Sequence, residues 1–192
     1  IDVDTSGKIQ TIIDQVDRQF KVTYDTNGRI IEVADIAGKR ITSYHYDSNG
    51  NLDVVTDPMN KKIYYEYDSS NFLTKIKNSS QDVIESIIYN HDSGVNQHKV
   101  LSYTDIYDNT NNYSYDTSLR KTTIIDSNQR QNIKWYDNQL CIIKSQDPEQ
   151  RQVEVEYYTD ANGNNMFGEE RLITDRNGNR TQYVRDSMGN IV

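Results

Sequence analysis

A chain of 192 residues with 34% hydrophobic residues, a mean hydropathy of -0.87 and a formal charge of -8 sits close to the composition of disordered chains. Its 15 tyrosines exclude that reading, because they recur at fixed positions beside β-branched neighbours, as a pleated, half-buried surface requires. Lys and Arg are scattered singly, so no basic stripe exists to neutralise phosphates, and no apolar run approaches the length of a membrane span.

The chain opens on Ile1-Asp2-Val3-Asp4, without an initiator methionine or a signal peptide, which reads as a segment of something longer. Cys141 is the single cysteine, so no internal disulfide is expected. From Tyr24 to Asp68 one unit is stated twice: Tyr24-Asp25-Thr26-Asn27-Gly28-Arg29-Ile30, then Ala34-Asp35-Ile36-Ala37-Gly38, then Tyr44-His45-Tyr46-Asp47-Ser48-Asn49-Gly50-Asn51-Leu52, Thr56-Asp57-Pro58 and Tyr65-Glu66-Tyr67-Asp68. A period of this length marks a repeat architecture. The turn aspartates continue as Asp4, Asp25, Asp47, Asp68, Asp92, Asp116, Asp137, Asp160 and Asp186, at spacings of 21 to 26 residues, or about nine copies.

Within a copy the pattern is a β-hairpin. Phe20-Lys21-Val22-Thr23-Tyr24 alternates, Ile63, Tyr65 and Tyr67 share a face, and the phase recurs in Val153, Val155 and Tyr157. Asn27-Gly28, Asn49-Gly50, Asn162-Gly163 and Asn177-Gly178 are strong hairpin signals. Each tyrosine is expected to pack on its counterpart one hairpin along, with its hydroxyl at a wet edge. Each aspartate is expected to open an Asx-turn. Asp57-Pro58 and Asp147-Pro148 do the same at mid-repeat, with proline presetting φ. In Asp68-Ser69-Ser70-Asn71, asparagine replaces glycine at the left-handed position.

The pattern loosens over 89–120. Tyr89-Asn90-His91-Asp92-Ser93-Gly94 carries an extra residue, and Asp108-Asn109-Thr110-Asn111-Asn112 reads as a polar cluster between strands. Order returns at Tyr115-Asp116 and Lys134-Trp135-Tyr136-Asp137, where Trp135 points to the opposite face unless a bulge intervenes. Tyr157-Tyr158-Thr159-Asp160 also has one residue too many, as a bulge would require. After Thr174-Asp175-Arg176-Asn177-Gly178 and Asp186-Ser187-Met188-Gly189 the chain stops at the start of a further strand.

These motifs resemble the RHS/YD-repeat family, with its Y-D-x-x-G-R/N-L, T-D-P-x-G and Y-x-Y-D elements. The resemblance is strong over residues 20 to 76 and 133 to 192 and weak between 89 and 120. It implies an all-β fold: an antiparallel array of hairpin repeats in a strongly twisted or curled sheet, residues 1–192 forming one segment of a larger shell. The repeat-defining positions are Tyr24, Asp25, Gly28, Tyr46, Asp47, Gly50, Asp57, Tyr67, Asp68, Tyr115, Asp116, Tyr136, Asp137, Asp175, Gly178, Asp186 and Gly189. Family toxins close their shell with a segment containing R-Y-Y-D-P; Tyr157-Tyr158-Thr159-Asp160 lacks both the arginine and the proline, so no self-cleavage residue carries over.

Other chemistry has a simpler reading at each place. The 29 acidic residues make chance carboxylate pairs plentiful, and those in register are turn residues. The sequence Asp160-Ala161-Asn162-Gly163 fails as a calcium loop, because counting back from Gly163 puts Tyr158 at the first ligand position. His91, Asp92 and His98 lack metal-ligand spacing and read as a solvated loop, and Cys141 reads as a small buried hydrophobe. The sequons at Asn78, Asn112 and Asn179 matter only in a eukaryotic secretory route. The expectation is a non-catalytic wall segment without cofactor or metal, extracellular, partnered by flanking repeats and an enclosed toxin. The alternative is an adhesive array binding carbohydrate or protein. Severed sheet edges predict self-association of the segment.

Overall fold

A computed structural model of the chain describes residues 1–35 and 40–192. Ile36, Ala37 and Gly38 of the expected mid-repeat turn lie outside the described residues. The secondary structure is entirely β, with 17 strands among the described residues. The chain divides into two compact units.

The first unit comprises Ile1–Ile87 with Asp105–Tyr107. Its strands are β1 (Asp2–Val3), β2 (Ile9–Ile13), β3 (Gln19–Tyr24), β4 (Ile30–Asp35), β5 (Ile41–Tyr46), β6 (Leu52–Thr56), β7 (Lys62–Tyr67), β8 (Leu73–Lys77) and most of β9 (Val83–Tyr89). Each pairs antiparallel with the next in sequence. The second unit comprises Ile88–Thr104 and Asp108–Val192. It holds β10 (Val100–Thr104), β11 (Thr110–Asp116), β12 (Lys121–Ile125), β13 (Gln131–Tyr136), β14 (Ile142–Gln146), β15 (Gln152–Thr159), β16 (Asn165–Thr174) and β17 (Arg180–Gln182), again paired antiparallel in sequence order. The ninth hairpin is reduced: its return strand is the single bridge Arg185↔Ile191, so nine copies yield 17 strands rather than eighteen.

A bulge recurs beside the tyrosine of most hairpins. Thr23 faces Glu32 but Tyr24 faces Ile30, leaving Ile31 extra. The same shift leaves Asp53 extra opposite His45/Tyr46, Thr74 opposite Glu66/Tyr67, and Ile143 opposite Trp135/Tyr136. The extra residue always lies on the strand leaving the turn. Trp135 is therefore no exception: it holds the place of Thr23, His45 and Glu66, and Lys144 Nζ lies 5.4 Å from its ring centroid. Between β15 and β16 the register shifts twice, at Glu156/Tyr157 and Tyr157/Thr159, which absorbs the surplus residue seen in the sequence.

Two expectations for residues 89–120 need correction. Thr110, Asn111 and Asn112 belong to β11, where all three pair with β10 and Asn112 also with Ile125 of β12, which supplies hydrogen bonds that these residue types would otherwise seek locally. The irregularity lies in the loop 90–99 and at the Asp116 turn. In the loop the turn residue is Asn90, not Asp92: the Asn90 side-chain carbonyl accepts the Asp92 N–H at 2.9 Å, which moves the column two residues upstream.

Buried apolar side chains among the described residues are few: Val22, Cys141, Tyr157 and Leu172. With so thin a core, local turn geometry carries much of the structural specification. Leu140 has φ 64° and is 75% exposed, a branched side chain in a conformation that crowds its Cβ with no compensating burial. Leu140→Gly is expected to raise the unfolding free energy by about 1 kcal/mol, measured by urea denaturation.

Candidate functional site

The feature repeated along both units is a turn built on one carboxylate. In Asp25-Thr26-Asn27-Gly28-Arg29, Asp25 Oδ1 accepts the N–H groups of Asn27 (2.9 Å) and Arg29 (2.8 Å). Gly28 N–H donates to the Asp25 carbonyl, and Asp25 N–H to the Arg29 carbonyl. The fourth residue is left-handed, with Gly28 at φ 81°. This is a type I turn followed by a left-handed bulge residue, the common three-residue hairpin connection. The module recurs on Asp47, Asp68, Asp137, Asp160, Asp175 and Asp186. Gly50, Gly178 and Gly189 hold the left-handed place where Asn71 and Leu140 hold it elsewhere.

The same module closes the other side of the repeat. Asp57 accepts from Met59 and Lys61, Asp14 from Val16 and Arg18, Asp126 from Asn128 and Arg130, and Asn78 from Ser80 and Asp82. The turns at Asp14, Asn78 and Asp126 escaped the sequence reading because Asp17, Gln81 and Gln129 stand where glycine would signal them. Their usable signal is Asp or Asn four residues before Arg or Asp.

The second carboxylate oxygen is also used. Asp25 Oδ2 takes Arg29 Nε at 2.8 Å, and in other copies Asn51, Asn164, Asn179 and Asn190 supply the side-chain donor. Asp147, 7% exposed, receives Arg151 Nε at 2.9 Å and Arg176 Nη1, from the Asp175 turn, at 3.3 Å. These donors hold the carboxyls below the ordinary range. The backbone N–H of Arg29, Arg130 or Asn164 is the largest cause for Asp25, Asp126 and Asp160, and the Asn179 or Asn190 amide for Asp175 and Asp186. At Asp47 and Asp147 burial is the largest single influence and pushes upward, but the donors outweigh it.

The tyrosine has a role that its place in sequence does not disclose. Its hydroxyl donates to a backbone carbonyl just past the preceding turn of the same kind: Tyr24 to Ile9 (2.9 Å), Tyr46 to Ile30 (2.8 Å), Tyr67 to Leu52 (2.8 Å), Tyr115 to Val100 (2.8 Å) and Tyr157 to Ile142 (2.9 Å). Tyr158 uses its hydroxyl elsewhere, on the Tyr183 carbonyl. The residue before the acceptor covers the ring in three copies, with Lys8 Nζ 5.3 Å from the Tyr24 centroid, Arg29 Cζ 4.4 Å from Tyr46 and Lys99 Nζ 4.7 Å from Tyr115. That cation also lies over the next glycine: a Cβ on Gly28 would stand 2.6 Å from Lys8 Nζ. Burial raises the phenol pKa of Tyr67, Tyr115 and Tyr157, keeping each hydroxyl a donor.

The ladder is interrupted at Tyr136. Asp116 pairs directly with Lys121, and its Oδ1 accepts from Leu119 N–H and Ser118 Oγ, a tighter arrangement than the other turns. Tyr136 accordingly gives its backbone N–H to the Arg120 carbonyl at 2.9 Å, and among the described residues its hydroxyl has no partner. A groove of ≈ 540 Å³ opens there.

His91 and His98 lie in the loop 90–99 with ring centroids 6.4 Å apart, both exposed. Among the described residues no three His, Cys, Asp or Glu side chains gather as a metal site. Cys141 is 1% exposed, and burial pushes its thiol pKa up, which suppresses the nucleophilic thiolate. No helix among the described residues is long and apolar enough to cross a membrane.

Antiparallel hairpins closed by Asx-turns and tied together by tyrosine hydroxyls define a YD-repeat array. Residues 1–94 match the teneurin YD-shell family model, consistent with the RHS/YD-repeat resemblance, and the same turn module runs on towards residue 192. Comparison with curated proteins gives no match. Among solved structures, the chain is similar in fold to TcdB2-TccC3-TEV, with a TM-score of 0.56 and 11% identity over 99% of this chain and 12% of that one. TcdB2-TccC3 without its hypervariable C-terminal region gives a TM-score of 0.56 and 13% identity over 98% of this chain and 14% of that one. A Photorhabdus luminescens Tc holotoxin pore carrying a TccC3 mutation gives 0.58 and 15% identity over 88% and 10%. The chain thus spans only about an eighth of the length of these neighbours.

Tyr46→Phe, which removes the bond to Ile30, is expected to cost about 1 kcal/mol of stability, whereas Tyr136→Phe leaves it unchanged; paired denaturation curves check both. The turn carboxyls contribute stability that is complete above their unfolded pKa of about 3.9 and is lost as pH falls through their lower folded values. Thermal melts should therefore be flat from neutrality to about pH 5 and fall steeply below about pH 4. Asp25→Asn combined with Asp160→Asn should make that acid limb shallower.

Proposed function

We propose that residues 1–192 form one continuous RHS/YD-repeat array that serves as non-catalytic wall in a larger shell of a secreted or cell-surface protein. The shell would enclose or present a C-terminal toxin. The observation that carries this reading is the consumption of the side chains that look chemical in the sequence. The repeat-defining aspartates bind the backbone of their own turns, and most of the repeat-defining tyrosines bind the backbone of the preceding repeat. Side chains committed in this way build wall and are not free to do acid–base work on a substrate.

The YD-shell match over residues 1–94 supports the reading, as does the shared fold with TcdB2-TccC3 structures. Flanking repeats are the partners of such a segment, since five of its repeats satisfy their tyrosine on the one before. Electron microscopy of the protein to which the segment belongs is expected to show a closed wall around enclosed density. An extended rod without a lumen would overturn the proposal.

A further inference from the structure

The groove beside Tyr136 gathers three cations around two tyrosine rings. It lies wholly in the second unit and is lined by Lys99, Tyr115, Arg120, Lys121, Tyr136 and Leu140, with Asp116 and Asp137 at its turns. The two carboxylates are spoken for. Asp116 Oδ1 holds Ser118 and Leu119, Asp137 Oδ1 holds Gln139 and Cys141, and Asp137 Oδ2 takes Asn165 Nδ2 at 2.6 Å.

The cations are not. Arg18, Arg29, Arg40, Arg130, Arg151, Arg171, Arg176 and Arg185 all sit in ion pairs, whereas Arg120, Lys121 and Lys99 form none among the described residues. Lys121 is close enough to Asp116 to lower its carboxyl pKa, and Lys99 Nζ binds the Asn96 side-chain carbonyl. On a chain of net charge -8, three cations without carboxylate partners around two tyrosine rings form a local reversal of sign.

We propose that this groove is a recognition site for an acidic peptide segment bearing a tyrosine. The chain itself shows what such a niche accepts. At Arg29 a tyrosine ring lies under a guanidinium while an aspartate engages that same guanidinium, with Arg29 Nη2 2.7 Å from Asp25 Oδ2. The groove offers the cationic half of that arrangement in Arg120 and Lys121, together with the unclaimed hydroxyl of Tyr136, and a ligand would bring the ring and the acid to them. A volume of ≈ 540 Å³ suits one aromatic side chain and its neighbours. The Leu140 side chain, 75% exposed at the rim, supplies apolar cover. This site stands independently of the wall function, because Arg120, Lys121 and the Tyr136 hydroxyl are not used by the repeat architecture, whereas Lys99 and Tyr115 only line the groove.

The test is fluorescence anisotropy of a labelled Glu-Tyr-Asp-Glu peptide titrated with the whole 192-residue chain. Saturable binding is expected. Arg120→Gln with Lys121→Gln should weaken it about tenfold, as the loss of charge-assisted hydrogen bonds requires, and raising the salt should weaken it further. Arg130→Gln, at a different turn, should leave the affinity unchanged. Thermal melts of the double variant establish that it is folded, and Tyr136→Phe provides a second variant that reports on the hydroxyl. The proposal is overturned if a Gln-Tyr-Asn-Gln or Glu-Ala-Asp-Glu peptide binds equally well, if the double variant binds like the parent, or if no saturation is reached at millimolar chain concentration.

Discussion

Everything in this structure depends on an aspartate oxygen accepting two backbone N–H groups, two and four residues ahead. That pair of bonds fixes the turn, puts the fourth residue into the left-handed region and aims the outgoing strand back along the incoming one. A carboxylate suits the task because it brings a full charge and four lone-pair directions to a cluster of orphan donors. Its second oxygen then orients the side chain of the fifth residue, and where that side chain is Arg29 the guanidinium is delivered onto the tyrosine of the following repeat. A local bond thus becomes a link between repeats.

This arrangement explains how so polar a chain folds. With Val22, Cys141, Tyr157 and Leu172 as the buried apolar side chains, little stabilisation comes from a packed interior. Tyr24, Tyr46, Tyr67, Tyr115 and Tyr157 instead spend their hydroxyls on a carbonyl, and the first, second and fourth of them also accept a cation over the ring. Phenylalanine would accept the cation but could not make the bond to the carbonyl, which gives a physical reason for 15 tyrosines against three phenylalanines.

The fold class and the hairpin grammar were legible because alternation and Asx-turn residues are local signals. Asn71 in place of glycine was legible for the same reason. The turns at Asp14, Asn78 and Asp126 were not, since Asp17, Gln81 and Gln129 adopt the left-handed conformation without a residue type that advertises it. Assigning Asp92 to the column was an error of spacing: an irregular loop offers two candidate side chains, and only hydrogen-bond geometry selects Asn90. Thr110 to Asn112 look like a loop until β10 pairs with all three and β12 with Asn112. The hydroxyl bridges were invisible because they join residues 15 or 16 apart whose proximity exists only after the intervening hairpin has formed.

The missing bridge at Tyr136 also bears on how the second unit comes apart. In a linear array the stability of a stretch is the sum of its repeats and the junctions between them, and opening travels from one repeat to the next until it meets a junction too weak to transmit cooperativity. The junction between the Asp116 turn and Tyr136 lacks the bond that couples its counterparts. The β12–β13 ladder and the Tyr136 N–H on the Arg120 carbonyl still join the repeats there, so amide hydrogen exchange is expected to separate them only in part.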